Sequence, residues 1–137
     1  MATDTGKSAL GLDGNLAAAL GYPIGIIAII CLIIEKENRF VRFHALQSIL
    51  LHVAFIILMI AVWILTIVLA IAGAAASAAS SGGGAVGGIV GLLFSLIWLV
   101  VMVAYIGGLI FAAVKAYGGN LFKLPIIGNM AEKWTSG

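Results

Sequence analysis

The chain is poor in charge, and its few charged residues are unevenly placed. Of its 137 residues only 9% are charged and 64% are hydrophobic, against about 25% and about 45–50% in a typical soluble domain. No Asp, Glu, Lys or Arg occurs in the 72 residues between Arg42 and Lys115, or in the 21 between Asp13 and Glu35. A water-soluble fold of this size cannot bury so much apolar surface. The composition therefore excludes a soluble domain and predicts an integral membrane protein.

Other absences narrow the function. The single cysteine, Cys31, has no partner for a disulfide. A net charge of +2, without a basic patch interleaved with aromatic residues, excludes nucleic acid as a partner. The sequence also has no paired acids inside an apolar segment and no motif of a metalloprotease, serine hydrolase, phosphate-binding loop or dinucleotide site. We therefore expect no enzyme activity, no cofactor and no metal.

Three apolar segments predict an all-α fold with three transmembrane helices in a single membrane domain over residues 1–137. The segments cover residues 16–34, 45–72 and 89–116, and about 20 apolar residues suffice to cross the hydrocarbon core. Pro23 lies inside the first segment and should bend it, because a helix cut there would be too short to cross. Residues 73–88 are small and predict a flexible turn between the other two spans.

The C-terminal tail predicts a short helix on the membrane surface. Within residues 125–134 the apolar side chains recur at a helical spacing: Ile126, Ile127, Met130 and Trp134. Pro125 suits a first helical position. A short amphipathic segment with a tryptophan at headgroup level is typical of an interfacial helix.

Basic residues predict the orientation in the membrane. Lys7 alone precedes the first predicted span, and the other six lie in the first loop and the tail: Lys36, Arg39, Arg42, Lys115, Lys123 and Lys133. Short cytoplasmic loops carry the excess of Lys and Arg. With three spans, the first loop and the C-terminus are therefore predicted to be cytoplasmic, and the N-terminus and the glycine-rich turn external.

A polar stripe enters the second predicted span. His44, Ser48 and His52 recur every four residues with Gln47 beside them, so all four share one helix face. Histidines eight residues apart on one helix cannot both reach a zinc ion at about 2.0–2.1 Å, which excludes a mononuclear site on this helix alone. The stripe lines a polar pathway or hydrogen-bonds to neighbouring helices. Tyr105 in the third span lies near the depth of His52, and we expect a hydrogen bond between them, which a double-mutant cycle would test.

Two arginines lie just before the stripe. Asn38 can cap a helix that begins at Arg39, which places Arg42 on the same face three residues later. At headgroup depth these arginines contact lipid phosphates or a partner's acidic segment, or they only set the topology.

Small residues recur every four positions in two of the predicted spans. They are Ala17, Gly21 and Gly25 in the first span and Gly87, Gly91 and Ser95 near the start of the third. Such stripes allow helix backbones to approach closely. They form either a subunit interface or packing within the chain.

The run EKENRFVRFHALQSIL at residues 35–50 resembles a signature of the Tic-twenty-like family, small prokaryotic membrane proteins related to a chloroplast import component. Residues 15–23 and 122–128 resemble the flanking segments of that family. The resemblance implies a place in a prokaryotic plasma membrane and a part in polypeptide translocation or insertion.

The number of helices limits what one copy can do. Three packed helices do not enclose a water-filled route, so we expect a subunit that sits in the lipid bilayer and associates with itself or with other membrane proteins. The alternative is a homo-oligomeric channel or carrier for a small solute, lined by His44, Gln47, Ser48 and His52.

Overall fold

The computed structural model describes residues 5–79 and 83–136, and this part of the chain is helical, with one isolated β-bridge between Lys7 and Asp13. Its helices follow one another as α1 (Gly14–Leu20), α2 (Gly25–Ile34), α3 (Arg39–Ala79), α4 (Gly83–Tyr117) and α5 (Ile127–Thr135). Two of them, α3 and α4, are long and apolar enough to cross a membrane. The all-α prediction is therefore confirmed, with two candidate spans.

The predicted first span is two short helices. The chain leaves the helical path at residues 21–24, where Pro23 has no N–H to donate and disfavours a helical residue before it. At about 1.5 Å per residue, α1 and α2 extend only about 11 Å and 15 Å, well short of the roughly 30 Å hydrocarbon core. A single bent helix over residues 16–34 does not form, and three spans are not confirmed.

The predicted turn over residues 73–88 is largely helical as well. The helix α3 continues to Ala79 and α4 begins at Gly83, while residues 80–82 of that turn lie outside the described residues. Alanine has the highest helix propensity. Ser77 stays within the helix by donating its hydroxyl proton to the carbonyl of Gly73 at 2.9 Å. Both apolar helices are therefore longer than the sequence predicts.

The beginning of α3 agrees with the sequence. The helix starts at Arg39, and the side-chain oxygen of Asn38 accepts a hydrogen bond from the Val41 N–H at 3.2 Å. This is the bond of an N-cap residue to the first turn. The predicted Asn38 cap is confirmed.

The first of two compact units comprises residues 1–54 and 106–137. Small side chains dominate its core, which lets the helix backbones approach closely. One cluster is formed by Ala17, Ala28, Cys31, Val41 and Ala45, and a second by Ala18, Tyr22, Ala112 and Ala116. Every charged residue and both histidines of the sequence fall within these two ranges.

The second compact unit comprises residues 55–105 and contains no charged residue. It is formed by the second part of α3 and the first part of α4. The rings of Phe55 and Tyr105 stack with centroids 3.7 Å apart. Its large aliphatic side chains are mostly exposed on the helix surfaces, as expected of helices surrounded by lipid.

Candidate functional site

The predicted polar stripe lies on the first part of α3 and is buried. His44, Gln47 and Ser48 have no exposed surface, and His52 is half-buried. Buried polar groups require hydrogen-bond partners. The partners of these four side chains therefore show what the stripe does.

His44 joins α3 to two other segments. One ring nitrogen, Nε2, lies 3.0 Å from the carbonyl of Asn120, to which it can only donate. In a neutral ring the other nitrogen, Nδ1, then accepts, and the Tyr22 hydroxyl lies 2.9 Å from it. The rings of Phe40 and Phe43 pack edge-on against the same imidazole. The geometry thus satisfies one neutral tautomer of His44 completely.

Gln47 uses both ends of its amide. Its nitrogen donates to the Tyr22 hydroxyl at 2.6 Å and to the carbonyl of Phe122 at 3.0 Å. Its oxygen accepts the N–H of Leu124 at 2.9 Å. The amide therefore pairs with the segment before α5 in the way a neighbouring strand would, through one donor and one acceptor.

Ser48 stabilises the break between α1 and α2. Its hydroxyl donates to the carbonyl of Gly21 at 2.7 Å, a group without a helical partner because the helix ends there. One turn later, Nδ1 of His52 bonds to the carbonyl of Ser48 at 2.8 Å. The His52 ring also lies beside Gly25, where an added Cβ would be 3.6 Å from Nε2.

The first three residues of the stripe therefore hold other parts of the chain against α3. His44 and Gln47 bind Tyr22 on one side and the tail segment 120–124 on the other, and Ser48 binds the end of α1. We refer to these groups as the buried network. Of the two interpretations that the sequence left, hydrogen bonding to neighbouring segments is the one that the geometry of these three residues favours.

Two members of the site were missed in the sequence. Tyr22 is the one hydroxyl-bearing residue in segment 16–34. A lone hydroxyl group in an apolar segment is a sequence signal that it has a polar partner. Gly128 in α5 lies against Gln47, since an added Cβ would be 2.7 Å from the Gln47 amide oxygen and 2.5 Å from the Lys123 Cβ. No sequence signal distinguishes this glycine from others in a helix.

Tyr105, the predicted partner of the stripe, packs its ring on Phe55. The predicted hydrogen bond between Tyr105 and His52 stays a prediction.

The two arginines lie at the beginning of α3. Arg39 is exposed and lines a pocket of about 250 Å³ with Phe40, Phe43 and Lys123, among others. Arg42 is half-buried, and its Nε has no hydrogen-bond partner within residues 5–79 and 83–136. Their predicted contact with lipid headgroups or a partner stays a prediction.

The small residues of the first predicted span pack within the chain. Ala17 is buried in the core, a Cβ on Gly21 would be 3.3 Å from the Cβ of Ala28, and Gly25 faces the His52 ring. These contacts fit the interpretation of packing within the chain.

The small residues of α4 differ from those of the first predicted span, because other side chains of the described residues do not cover them. A Cβ on Gly87 or Gly91 would meet nothing within 4 Å, and the exposed Ser95 donates its hydroxyl proton back to the Gly91 carbonyl at 2.9 Å. The α4 stripe is therefore open.

Metal-ligating side chains are dispersed. Within the described ranges no three His, Cys, Asp or Glu side chains lie close enough to hold one metal ion.

Comparisons with known proteins identify relatives over most of the chain. The model of the magnetosome magnetite crystal formation protein family matches residues 9–131. A UPF0132 membrane protein of Methanocaldococcus jannaschii is 39% identical over 131 residues, which cover 95% of this chain and 96% of that protein. A UPF0132 membrane protein of Archaeoglobus fulgidus is 34% identical over 124 residues, covering 90% and 96%. No solved structure matches the chain.

These comparisons correct the resemblance to the Tic-twenty-like family, which is wrong. The run at residues 35–50 and its flanking segments lie within the region that a different family matches. The archaeal relatives are named only as membrane proteins, so they do not support a part in polypeptide translocation. They do support the location in a membrane.

Proposed function

Because the chain belongs to the magnetosome magnetite crystal formation protein family and its relatives are membrane proteins, we propose that it is a non-catalytic membrane subunit that pairs with a second copy of itself. The observation that carries this proposal is the open face of α4 at Gly87 and Gly91. The small-residue stripe of the N-terminal helices, at Gly21 and Gly25, is covered by other side chains of the same chain. The stripe at Gly87 and Gly91 is not covered within the part of the chain that the structure describes.

The open face borders a cleft suited to another helix. Gly87 and Gly91 line a cleft of about 310 Å³ with small residues of α3, among them Ala70, Gly73 and Ala74. Inside a bilayer, helices associate through close packing of backbones at small residues, because lipid provides no hydrophobic drive between them. A second copy presents the same small-residue face, so a two-fold pairing covers both faces at once.

The buried network argues against the alternative of a channel or carrier. A route for a solute needs polar side chains that face it, and His44, Gln47 and Ser48 have no exposed surface. Their hydrogen-bonding groups bind the chain's own backbone and Tyr22. We therefore favour the subunit over the channel.

Leucine at both positions of the open face should weaken pairing strongly. In the combined variant Gly87→Leu and Gly91→Leu, side chains occupy the space that a partner helix needs, and we expect the dimer affinity to fall about tenfold or more. The measurement is the mass of the protein in mild detergent, together with crosslinking in the native membrane.

Gly107→Leu is the matched control. Gly107 lies on the same helix, also has nothing within 4 Å of an added Cβ, and is about 160° around the helix from Gly91 at 100° per residue. This variant should still pair. A wild-type protein that is monomeric in both experiments would refute the proposal, and so would an equal loss of pairing in the control.

We further propose that α3 and α4 cross the membrane as a hairpin whose two ends face the cytoplasm. All seven Lys and Arg residues lie outside residues 55–105, and basic residues accumulate on the cytoplasmic side. The helices α1 and α2 are each too short to cross. This arrangement places the N-terminus on the cytoplasmic side, in place of the external N-terminus expected from three spans.

Reporter fusions test the orientation. A reporter that is active only in the cytoplasm should be active when fused to either terminus and inactive when inserted between residues 79 and 83. An active C-terminal fusion with an inactive N-terminal fusion would restore the three-span topology.

A further inference from the structure

The helix α5 presents three different surfaces. Its small residues Gly128 and Ala131 are buried against the rest of the first unit. At 100° per residue, Met130 and Trp134 lie together on one flank, and Asn129 and Lys133 lie on the other. Met130 is 39% and Trp134 56% exposed, although both are large and apolar. Although α5 packs on the first unit through its small residues, its flank with Met130 and Trp134 is exposed and suits an apolar environment.

The turn before α5 exposes a third large apolar side chain. Ile126 has φ +66° and ψ −58°, and the N–H of Ile127 donates to the Pro125 carbonyl at 2.7 Å. This is a γ-turn of the rare, strained kind. Ile126 is the one residue other than glycine with a positive φ among those described, and a β-branched residue tolerates that conformation poorly. Its side chain is 76% exposed.

The conformational strain at the exposed Ile126 costs free energy, which burial of its side chain in an apolar environment would offset. Glycine would adopt this turn with less strain, and in water the isoleucine side chain contributes nothing in return. Contact with acyl chains would bury it. Local strain of this type is a pointer to a functional surface.

The charged residues around α5 indicate that this apolar environment is a lipid bilayer. From Lys115 to the end of the chain there are three lysines and one glutamate. The glutamate, Glu132, pairs with Lys123 at 2.6 Å, and Lys133 lies on the polar flank of α5 next to Trp134. A lysine beside an apolar ridge and a tryptophan is typical of a segment that lies in the headgroup region of an anionic bilayer.

We propose that Ile126, Met130 and Trp134 form a wedge that inserts into the headgroup and upper acyl region of an anionic membrane, with Lys133 facing lipid phosphates. The strained turn aims Ile126 into the bilayer, and Gly128 and Ala131 fasten the helix to the first unit. The wedge shares no residue with the open face of α4, so the proposal stands whether or not the protein pairs.

Fluorescence of Trp134 tests the wedge in the full-length protein. The substitutions Trp63→Phe and Trp98→Phe leave Trp134 as the single tryptophan, and the protein is reconstituted in vesicles of phosphatidylcholine and phosphatidylglycerol. Bromine atoms on the upper acyl chain should quench its emission strongly, and aqueous iodide should quench it weakly. Strong quenching by iodide alone would overturn the proposal. Protection from both quenchers would also overturn it, because protein would then cover the residue.

Two variants separate the contributions of the wedge. Ile126→Gly keeps a residue that tolerates the turn but removes the apolar side chain, so quenching by bromolipid should fall about twofold. Lys133→Glu should reduce quenching in anionic vesicles and leave it unchanged in pure phosphatidylcholine. Equal loss in both lipids would refute the role of charge, and unchanged quenching in Ile126→Gly would refute the role of the Ile126 side chain.

Discussion

Replacing Gln47 with alanine should lower the free energy of unfolding by about 3 kcal/mol, since each buried polar group left without a partner costs about 1–3 kcal/mol. The substitution removes three hydrogen bonds at once and leaves the Phe122 carbonyl and the Leu124 N–H unpaired. Tyr22 keeps its bond to His44, so the loss falls mainly on the tail. We expect the segment before α5 to detach from α3.

Two measurements check this result. Unfolding of the reconstituted protein gives the free energy, and limited proteolysis after Lys123 gives the release of the tail. Ser77→Ala is the control, because among the described residues that hydroxyl bonds only to Gly73 in its own helix, and its loss should cost less than about 0.5 kcal/mol. If Gln47→Ala unfolds and is cleaved like the control, the buried network does not hold the tail.

Gly128→Ala should destabilise the protein by about 1–3 kcal/mol, the usual cost of overpacking. The added Cβ would lie 2.5 Å from the Cβ and 2.6 Å from the Cα of Lys123, and 2.7 Å from the Gln47 amide oxygen. No rotamer change relieves a contact with a backbone Cα, so α5 has to move away from the segment that Gln47 holds. The same unfolding measurement applies.

Gly107→Ala is the matched control for this substitution. An added Cβ at Gly107 meets nothing within 4 Å, and alanine favours a helix by up to about 1 kcal/mol over glycine. This control should be neutral or stabilising. Because the Cβ added at Gly128 would meet the Gln47 amide oxygen, the effects of Gly128→Ala and Gln47→Ala should also be less than additive. Equal stability of the two glycine variants would contradict the packing of α5.

Features that depend on neighbouring residues were predictable. The cap at Asn38 and the start of α3 follow from the side chain next to the first turn. The shared face of His44, Gln47 and Ser48 follows from helical periodicity. The exclusion of a soluble domain follows from composition, which needs no knowledge of contacts.

Features that depend on distant residues were not predictable. A proline such as Pro23 either bends a helix or ends it, and the outcome depends on whether other groups pair the carbonyls left free at the break. Here the Ala19 carbonyl, which Pro23 cannot pair, accepts the Tyr22 N–H. Ser48, 27 residues away from Gly21, pairs the Gly21 carbonyl, so the helix ends. The length of the apolar segment alone favoured the wrong outcome.

By itself, the sequence determined that this is an all-helical membrane protein with its polar side chains gathered on one helix face. Only the tertiary structure decided that this face is filled by the chain's own tail and N-terminal helices. It also decided that, of two small-residue stripes with the same spacing, Gly21 and Gly25 are covered whereas Gly87 and Gly91 are open. The physical reason is that periodicity specifies which side of a helix a residue occupies, while the segment that meets that side is set by contacts between residues far apart in the chain.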